Sequence, residues 1–239
     1  MSTPTTKFSV GISSCLLGEE VRYDGGHRQN SFIKYKLAEI FDFVPFCPEV
    51  AIGLGVPRDP LQLVNKENRI RCLGVKDEKI DVTDPLINYA QTINNSHTQL
   101  CGYIFKRGSP SCGIKNVKTF NFDQKDPDSF KATGVGIYAR QVMLNQPLLP
   151  VADEDDMDDV LMRENFIQRV RLLHNWFQLL NEGLTVRKLK AFHSRLVINL
   201  IKQSQKQSQG LDKLLANIDK NNIEKTGYEY IQGVMKILT

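Results

Sequence analysis

Residues 7–50 read KFSVGISSCLLGEEVRYDGGHRQNSFIKYKLAEIFDFVPFCPEV, and the order of patterns within them decides the fold. The run KFSVGISSC is short, apolar and rich in β-branched and small residues, and the glycine-containing LLGEEVRYDGG follows it, which predicts a strand entering a loop. Across SFIKYKLAEIF, Phe32, Ile33, Leu37, Ile40 and Phe41 recur at helical spacing, with Ser31 placed to cap the N-terminus. FDFVPFCPEV then predicts a second strand, stopped at Pro48. Strand, helix and strand in that order point to parallel pairing with the helix as crossover.

The alternation continues outward. Residues 51–64 are rich in proline and glycine and predict a loop, RIRCLGVK one strand of an irregular hairpin, and VTDPLINYAQTINNS a helix begun near Thr83–Asp84 with Pro85 in its first turn. LCGYIFK predicts a further buried strand leading into RGSPSCGIKN, and GVGIYARQVMLNQPLLPV closes the domain around a short helix. After the acidic stretch ADEDDMDDV the pattern turns helical. In MRENFIQRVRLLHNWFQLL, Phe166, Val170, Leu173, Phe177 and Leu180 make one apolar face. LTVRKLKAFHSRLVINLIKQ behaves alike, and residues 211–239 give shorter helical stretches. The expected class is therefore α/β: a mainly parallel, Rossmann-like sheet domain over 1–150, then a smaller all-helical domain over 151–239.

The chain has 239 residues, 41% hydrophobic and 24% charged, enough for a real core. No apolar run is long enough to span a bilayer, and MSTPTTKFSV lacks the basic and apolar regions of a signal peptide, so a cytoplasmic location without membrane attachment is expected. The net charge is +4 but uneven: +5 over residues 181–239, −4 over 151–180 and +3 over 1–150. A basic C-terminal region attracts polyanions, although a solvated helical surface gives the same count.

Five cysteines, at 15, 47, 72, 101 and 112, are too few and scattered for a secreted disulfide scaffold. In parallel α/β sheets, ligands collect beyond the carboxyl ends of the strands. Cys15, Cys47 and Cys112 fall there, flanked by Ser13 and Ser14, by Pro48 and by Gly113. Turn backbone N–H groups suit thiolate or sulfide sulfur, which favours an iron–sulfur centre over buried thiols. Cys72 and Cys101 lack such flanks and read as core residues. Three thiolates are one short of the usual four, leaving one iron of a cubane open to a soft atom of a substrate. Glu49, two residues after Cys47, is placed to act as a general base, and Ser109 and Ser111 put hydroxyls beside Cys112. Ser14, Arg22, Tyr23, Asp24 and His27 are candidates to grip a base or phosphate, though Asp24-Gly25-Gly26 also reads simply as a turn.

The runs VGISSCLLGEEVRYDGGHR, VPFCPEVAIGLGVPRDPLQLV, FKRGSPSCGIKNVK and GVGIYA resemble, in order and spacing, the thiouracil desulfidase (TudS-like) family over roughly residues 8–145. That resemblance implies a 4Fe-4S cluster on Cys15, Cys47 and Cys112, with Glu49 and either Ser109 or Ser111 in catalysis. LPVADEDDMDDVLMRENFIQRV and LKAFHSRLVINLIKQSQ resemble the YbgA-like helical domain, here shorter at its C-terminus. Two-domain proteins of this arrangement act on 4-thiouridine in tRNA, which implies hydrolytic conversion to uridine with release of hydrogen sulfide and no net redox change. Two alternatives stand beside this reading: action on free thiouracil or another small thiocarbonyl, and a non-catalytic zinc or redox-sensing module built on the same cysteines. His193, on a helix, is a candidate RNA contact or a structural histidine.

Overall fold

A computed structural model describes residues 7–122, 131–203, 205–216, 218 and 222–238. The chain divides into two compact units, Met1–Arg163 and Glu164–Thr239.

The first unit is built on a four-stranded sheet of β1 (Phe8–Ser13), β2 (Phe41–Phe46), β5 (Gly102–Phe105) and β8 (Val151–Asp153) in the order β2-β1-β5-β8. Every neighbouring pair in it is parallel, as the alternation of patterns requires. Phe8 pairs with Phe41 and Ser13 with Phe46, so β1 and β2 end level and their following loops leave side by side. Pro45 sits within β2, which tolerates a missing N–H because β2 is the edge strand. Gly11 lies opposite Tyr103, and a Cβ there would fall 2.5 Å from the tyrosine Cδ2; the strand needs glycine to let that ring lie across it.

Helix α1 (Pro48–Ala51) follows β2, α2 (Thr83–Ser96) precedes β5, and α3 (Ile137–Asn145) packs on α2. Leu86, Ala90 and Ile93 of α2 and Tyr138, Ala139 and Val142 of α3 are buried. Burying a leucine such as Leu86 stabilises the fold by about 1.5–3 kcal/mol. Thr83 N donates to Asp81 Oδ1 at 3.0 Å, which supplies the polar start of α2. Residues 31–41 do wind helically, but as a π-type turn over Phe32–Lys36 and a 3-10 turn over Leu37–Glu39. Ser31 is already helical and caps nothing; Asn30 Oδ1 accepts from Ile33 N at 3.1 Å and takes the capping role one residue earlier.

A second sheet, in the order β4-β3-β6-β7, contains the hairpin strand expected over RIRCLGVK, but its other three strands are not foreshadowed by the sequence patterns. It comprises β3 (Leu61–Lys66), β4 (Arg69–Gly74), β6 (Val117–Asn121) and β7 (Lys131–Gly134), with β3 antiparallel to β4 and parallel to β6. Residues 61–64, expected as loop, are therefore strand. Pro60 is the last ring to oppose it, and Leu63 and Val64 are buried immediately after. Residues 151–153, placed with the all-helical part by the sequence, are also strand. Val151–Asp153 completes the first sheet, and Asp153 caps α4 (Glu154–Asp158) by accepting from Asp155 N and Asp156 N.

The division between the units falls inside α5 (Val160–Asn181). The second unit continues with α6 (Val186–Gln203), α7 (Gln205–Ala216) and α8 (Ile223–Leu238). Phe166, Val170 and Leu173 are buried as their spacing predicts, but the face then passes to Trp176 and Leu179. Phe177 is half-buried and Leu180 is 43% exposed, because the helical period of 3.6 carries an alternating three-four stripe off the core. Among the described residues, no helix is long and apolar enough to cross a membrane.

Candidate functional site

The carboxyl ends of β1, β2 and β5 deliver three cysteines to one pocket of about 300 Å³. Cys15 stands in a 3-10 turn over Ser14–Leu17 directly after β1. The loop that follows folds back on it, with Arg28 N donating to the Cys15 carbonyl at 2.9 Å. Cys47 is the N-cap of α1, where Pro48 supplies the preset first-turn φ. Cys112 lies beyond β5 in a loop docked on the start of α3: Ile137 N donates to the Pro110 carbonyl at 3.1 Å and Ala139 N to the Ser111 carbonyl at 3.1 Å. A Cβ on Gly136 would fall 2.6 Å from the Ser111 carbonyl, so the glycine of GVGIYA allows the docking that sets Cys112.

Burial pushes the Cys15 thiol up to about 11 and raises Cys47 and Cys112 as well. For Cys112 the neighbouring charges of Glu49, Cys47 and Cys15 push in the same direction. Three ionised thiols would repel one another at these buried positions, and a bound multivalent cation is the partner that would reverse that balance. Among the described residues, no three His, Cys, Asp or Glu side chains gather tightly enough to hold a single metal ion. Three thiols lining one pocket make a donor set that would fit an iron–sulfur cluster. Cys72 and Cys101 are buried in or beside strands, at 0% and 2% exposure, as their flanks predict.

Glu49 projects from the first turn of α1 toward the same pocket. Ser111 Oγ donates to its Oε1 at 2.8 Å, while Arg58 Nε and Nη2 both reach Oε2 at 2.8 Å. The two candidate serines thereby separate. Ser111 is fully buried behind the carboxylate and does not line the pocket. Ser109 does line it; its Oγ accepts from Ser111 N at 3.2 Å and Cys112 N at 3.1 Å, which leaves its own proton to donate.

Ser14, Arg22 and Tyr23 line the pocket too. Arg22 Nε is buried without a hydrogen-bond partner, 3.5 Å from Asp24 Oδ1, and its guanidinium lies 5.3 Å from the Tyr23 ring centre. Asp24 and His27 are engaged in the turn instead of the pocket. Gly26 N donates to Asp24, which holds that carboxyl below its usual range, and Gln29 N donates to His27 Nδ1 at 3.2 Å. His193, in the second unit, is buried and bonded to Tyr230 Oη at 3.1 Å and Asp212 Oδ1 at 2.9 Å, a structural arrangement.

The sequence reading missed Arg58, whose partner is visible only once the chain has folded. It also missed the cations of the Cys112 loop and their partners around α4. Lys106 pairs with Glu154, Arg107 with Asp155 at 2.6 Å, and Lys115 with Asp156 at 2.5 Å. A run of like charge beside a run of opposite charge was the available signal.

A family model described as 2-thiouracil desulfurase matches residues 10–154. The uncharacterized protein YbbK of Bacillus subtilis (strain 168) is 32% identical over 161 residues, covering 63% of this chain and 98% of YbbK. Among solved structures, a [4Fe-4S]-dependent thiouracil desulfidase, TudS, is similar with a TM-score of 0.50 and 26% identity, covering 64% of this chain and 94% of its own.

Proposed function

The chain belongs to the 2-thiouracil desulfurase family, and from that premise we propose that it removes sulfur from a thiolated uracil ring at a 4Fe-4S cluster held by Cys15, Cys47 and Cys112. The observation that carries this reading is the shared pocket: three thiols from three parallel strand ends, with a carboxylate and a serine hydroxyl among them.

When bound, the cluster supplies an electrophilic iron with affinity for the soft thiocarbonyl sulfur. Glu49 takes a proton from water as its oxygen adds to the ring carbon bearing sulfur. Ser109 donates a proton to the sulfur of the adduct; as the adduct collapses to the carbonyl, its hydroxyl proton restores Ser109 and Glu49 passes its own proton to the departing hydrosulfide. Thiocarbonyl and water thus become carbonyl and hydrogen sulfide, without net electron transfer, a hydrolase reaction. Arg22 and Tyr23, with Ser14 on the inner wall, orient the ring. A non-catalytic zinc or redox-sensing module gives no reason for a carboxylate held between a buried serine and an arginine beside the thiols.

For the substrate, we propose 4-thiouridine in tRNA in a reducing cytoplasm. The +5 charge of residues 181–239 and the cations Arg22 and Arg28 at the pocket favour a polyanion, and the YbgA-like resemblance of the helical part supports the same assignment. A tRNA nucleotide would have to leave its stack to enter, at a few kcal/mol. Free thiouracil is the second reading, favoured by the family description and by the activity named for the solved relative. Anaerobically reconstituted protein is incubated with thiolated tRNA and, separately, with free 4-thiouracil, and the nucleosides or bases are followed by mass spectrometry with hydrosulfide release. Loss of 4-thiouridine from tRNA, with binding that weakens steeply as salt rises, is the expected outcome. Turnover of the free base alone selects the second reading, and release from neither overturns the assignment.

A further inference from the structure

Arg58 is the best-connected cation at the pocket, and its connections run in two directions. Its side chain is 7% exposed. Nε and Nη2 hold Glu49 Oε2, Nη2 also donates to the Val21 carbonyl at 2.9 Å, and Nη1 donates to the Gly55 carbonyl at 2.9 Å. Its backbone N donates to the Tyr23 carbonyl at 2.9 Å. One residue therefore fastens the carboxylate of α1 to the loop that carries Arg22 and Tyr23.

Glu49 is fixed from opposite sides. Ser111 fills one site on Oε1 from the protein interior, and the arginine fork fills Oε2. With both oxygens anchored, the carboxylate plane cannot rotate, and the remaining acceptor position of Oε1 is the one left for a water molecule. A lysine in place of Arg58 would carry the charge but could not meet Oε2 and the Val21 and Gly55 carbonyls together, since its ammonium is one point on a flexible stem.

We propose that Arg58 is a positioning residue for the desulfidase reaction. It sets the angle at which Glu49 meets the attacking water and holds the loop bearing Tyr23 at a fixed distance from that carboxylate. This rests on the reading of Glu49 as general base. Because a displacement of about 1 Å in a reacting group can lower a rate on the order of 100-fold, the effect belongs in kcat.

The test compares the parent with Arg58→Ala, Arg58→Lys and Glu49→Gln in the reconstituted 239-residue chain, recording iron and sulfide content, the visible spectrum, and kcat and KM for whichever of thiolated tRNA and 4-thiouracil the parent turns over. Arg58→Ala is expected to keep its chromophore and lose on the order of 100-fold in kcat, with partial recovery when guanidinium is added. Arg58→Lys should remain at least about tenfold below the parent although the charge is kept. Guanidinium should restore nothing to Glu49→Gln. A parent-like kcat in Arg58→Lys, or a loss in Arg58→Ala confined to KM or matched by loss of iron, overturns the proposal. Should Arg58→Ala fail to fold, Arg58→Lys decides alone. A fully active Glu49→Gln removes the general-base reading, whereas an inactive Glu49→Gln beside parent-like Arg58 variants removes only the role given to Arg58.

Discussion

Two buried polar clusters, one in each unit, are used in opposite ways. In the second unit, His193 has both ring nitrogens engaged, with Tyr230 on one side and Asp212 on the other, and the arrangement closes on itself. In the first, Glu49 is gripped by Ser111 and Arg58 yet still lines a pocket, Ser109 retains a proton to give, and Arg22 Nε is buried without a hydrogen-bond partner. Chemistry is marked by polar groups that are positioned but not fully satisfied, because such groups keep capacity for a ligand. The His193 ring, with both nitrogens bonded, has no such capacity left.

That contrast can be broken in several places. The largest effect is expected at Cys112: its serine variant should lose the brown chromophore and all turnover, and a fully loaded, active Cys112→Ser protein would remove the cluster from the account. Next, Glu49→Gln should lower kcat by about 10²–10⁴-fold while iron content stays at the parent level. Ser109→Ala should cost about 10–100-fold in kcat, since water can replace part of its proton donation; equal rates with the parent would return the hydroxyl role to Ser111. In the second unit, Tyr230→Phe leaves His193 Nδ1 without its partner. Chemical denaturation should show a loss of about 1–3 kcal/mol while turnover of free 4-thiouracil stays unchanged. A Tyr230→Phe protein of parent stability with impaired turnover would reverse the comparison.

The smallest effect concerns pH. Burial opposes ionisation of Asp81, but hydrogen bonds from Thr83 and the Arg71 guanidinium outweigh it and lower its pKa. The stabilisation this gives is complete above the unfolded carboxyl value of about 3.9 and is lost as pH falls through the lower folded value. Asp81→Asn should flatten that part of the stability profile by about 1 kcal/mol or less, as measured by acid unfolding.

The strands that carry the thiols were legible because each is a compact apolar run broken by Gly, Pro or Ser, and those breaks mark where ligands gather. Of the second sheet only the hairpin strand RIRCLG was legible, because the other pairings, such as Leu63 with Thr119, join segments far apart in the chain, and VKTFN is too short to show a period. Asn30 and Ser31 are neighbouring residues of types that cap helices, and which one closes the turn depends on where the loop from Cys15 delivers the chain. Glu49 was legible from its place beside Cys47. Arg58 was not, since a charged side chain shows its type in the sequence and its partner only in the fold.

Pro45 has a consequence outside the chemistry. The outermost ribbon of the parallel sheet presents a ring where an incoming strand would need an N–H, and an exposed carboxylate at Asp42 three residues earlier. Another polypeptide laid along that margin would find the ladder interrupted and a charge to bury, which guards this border against edge-to-edge association.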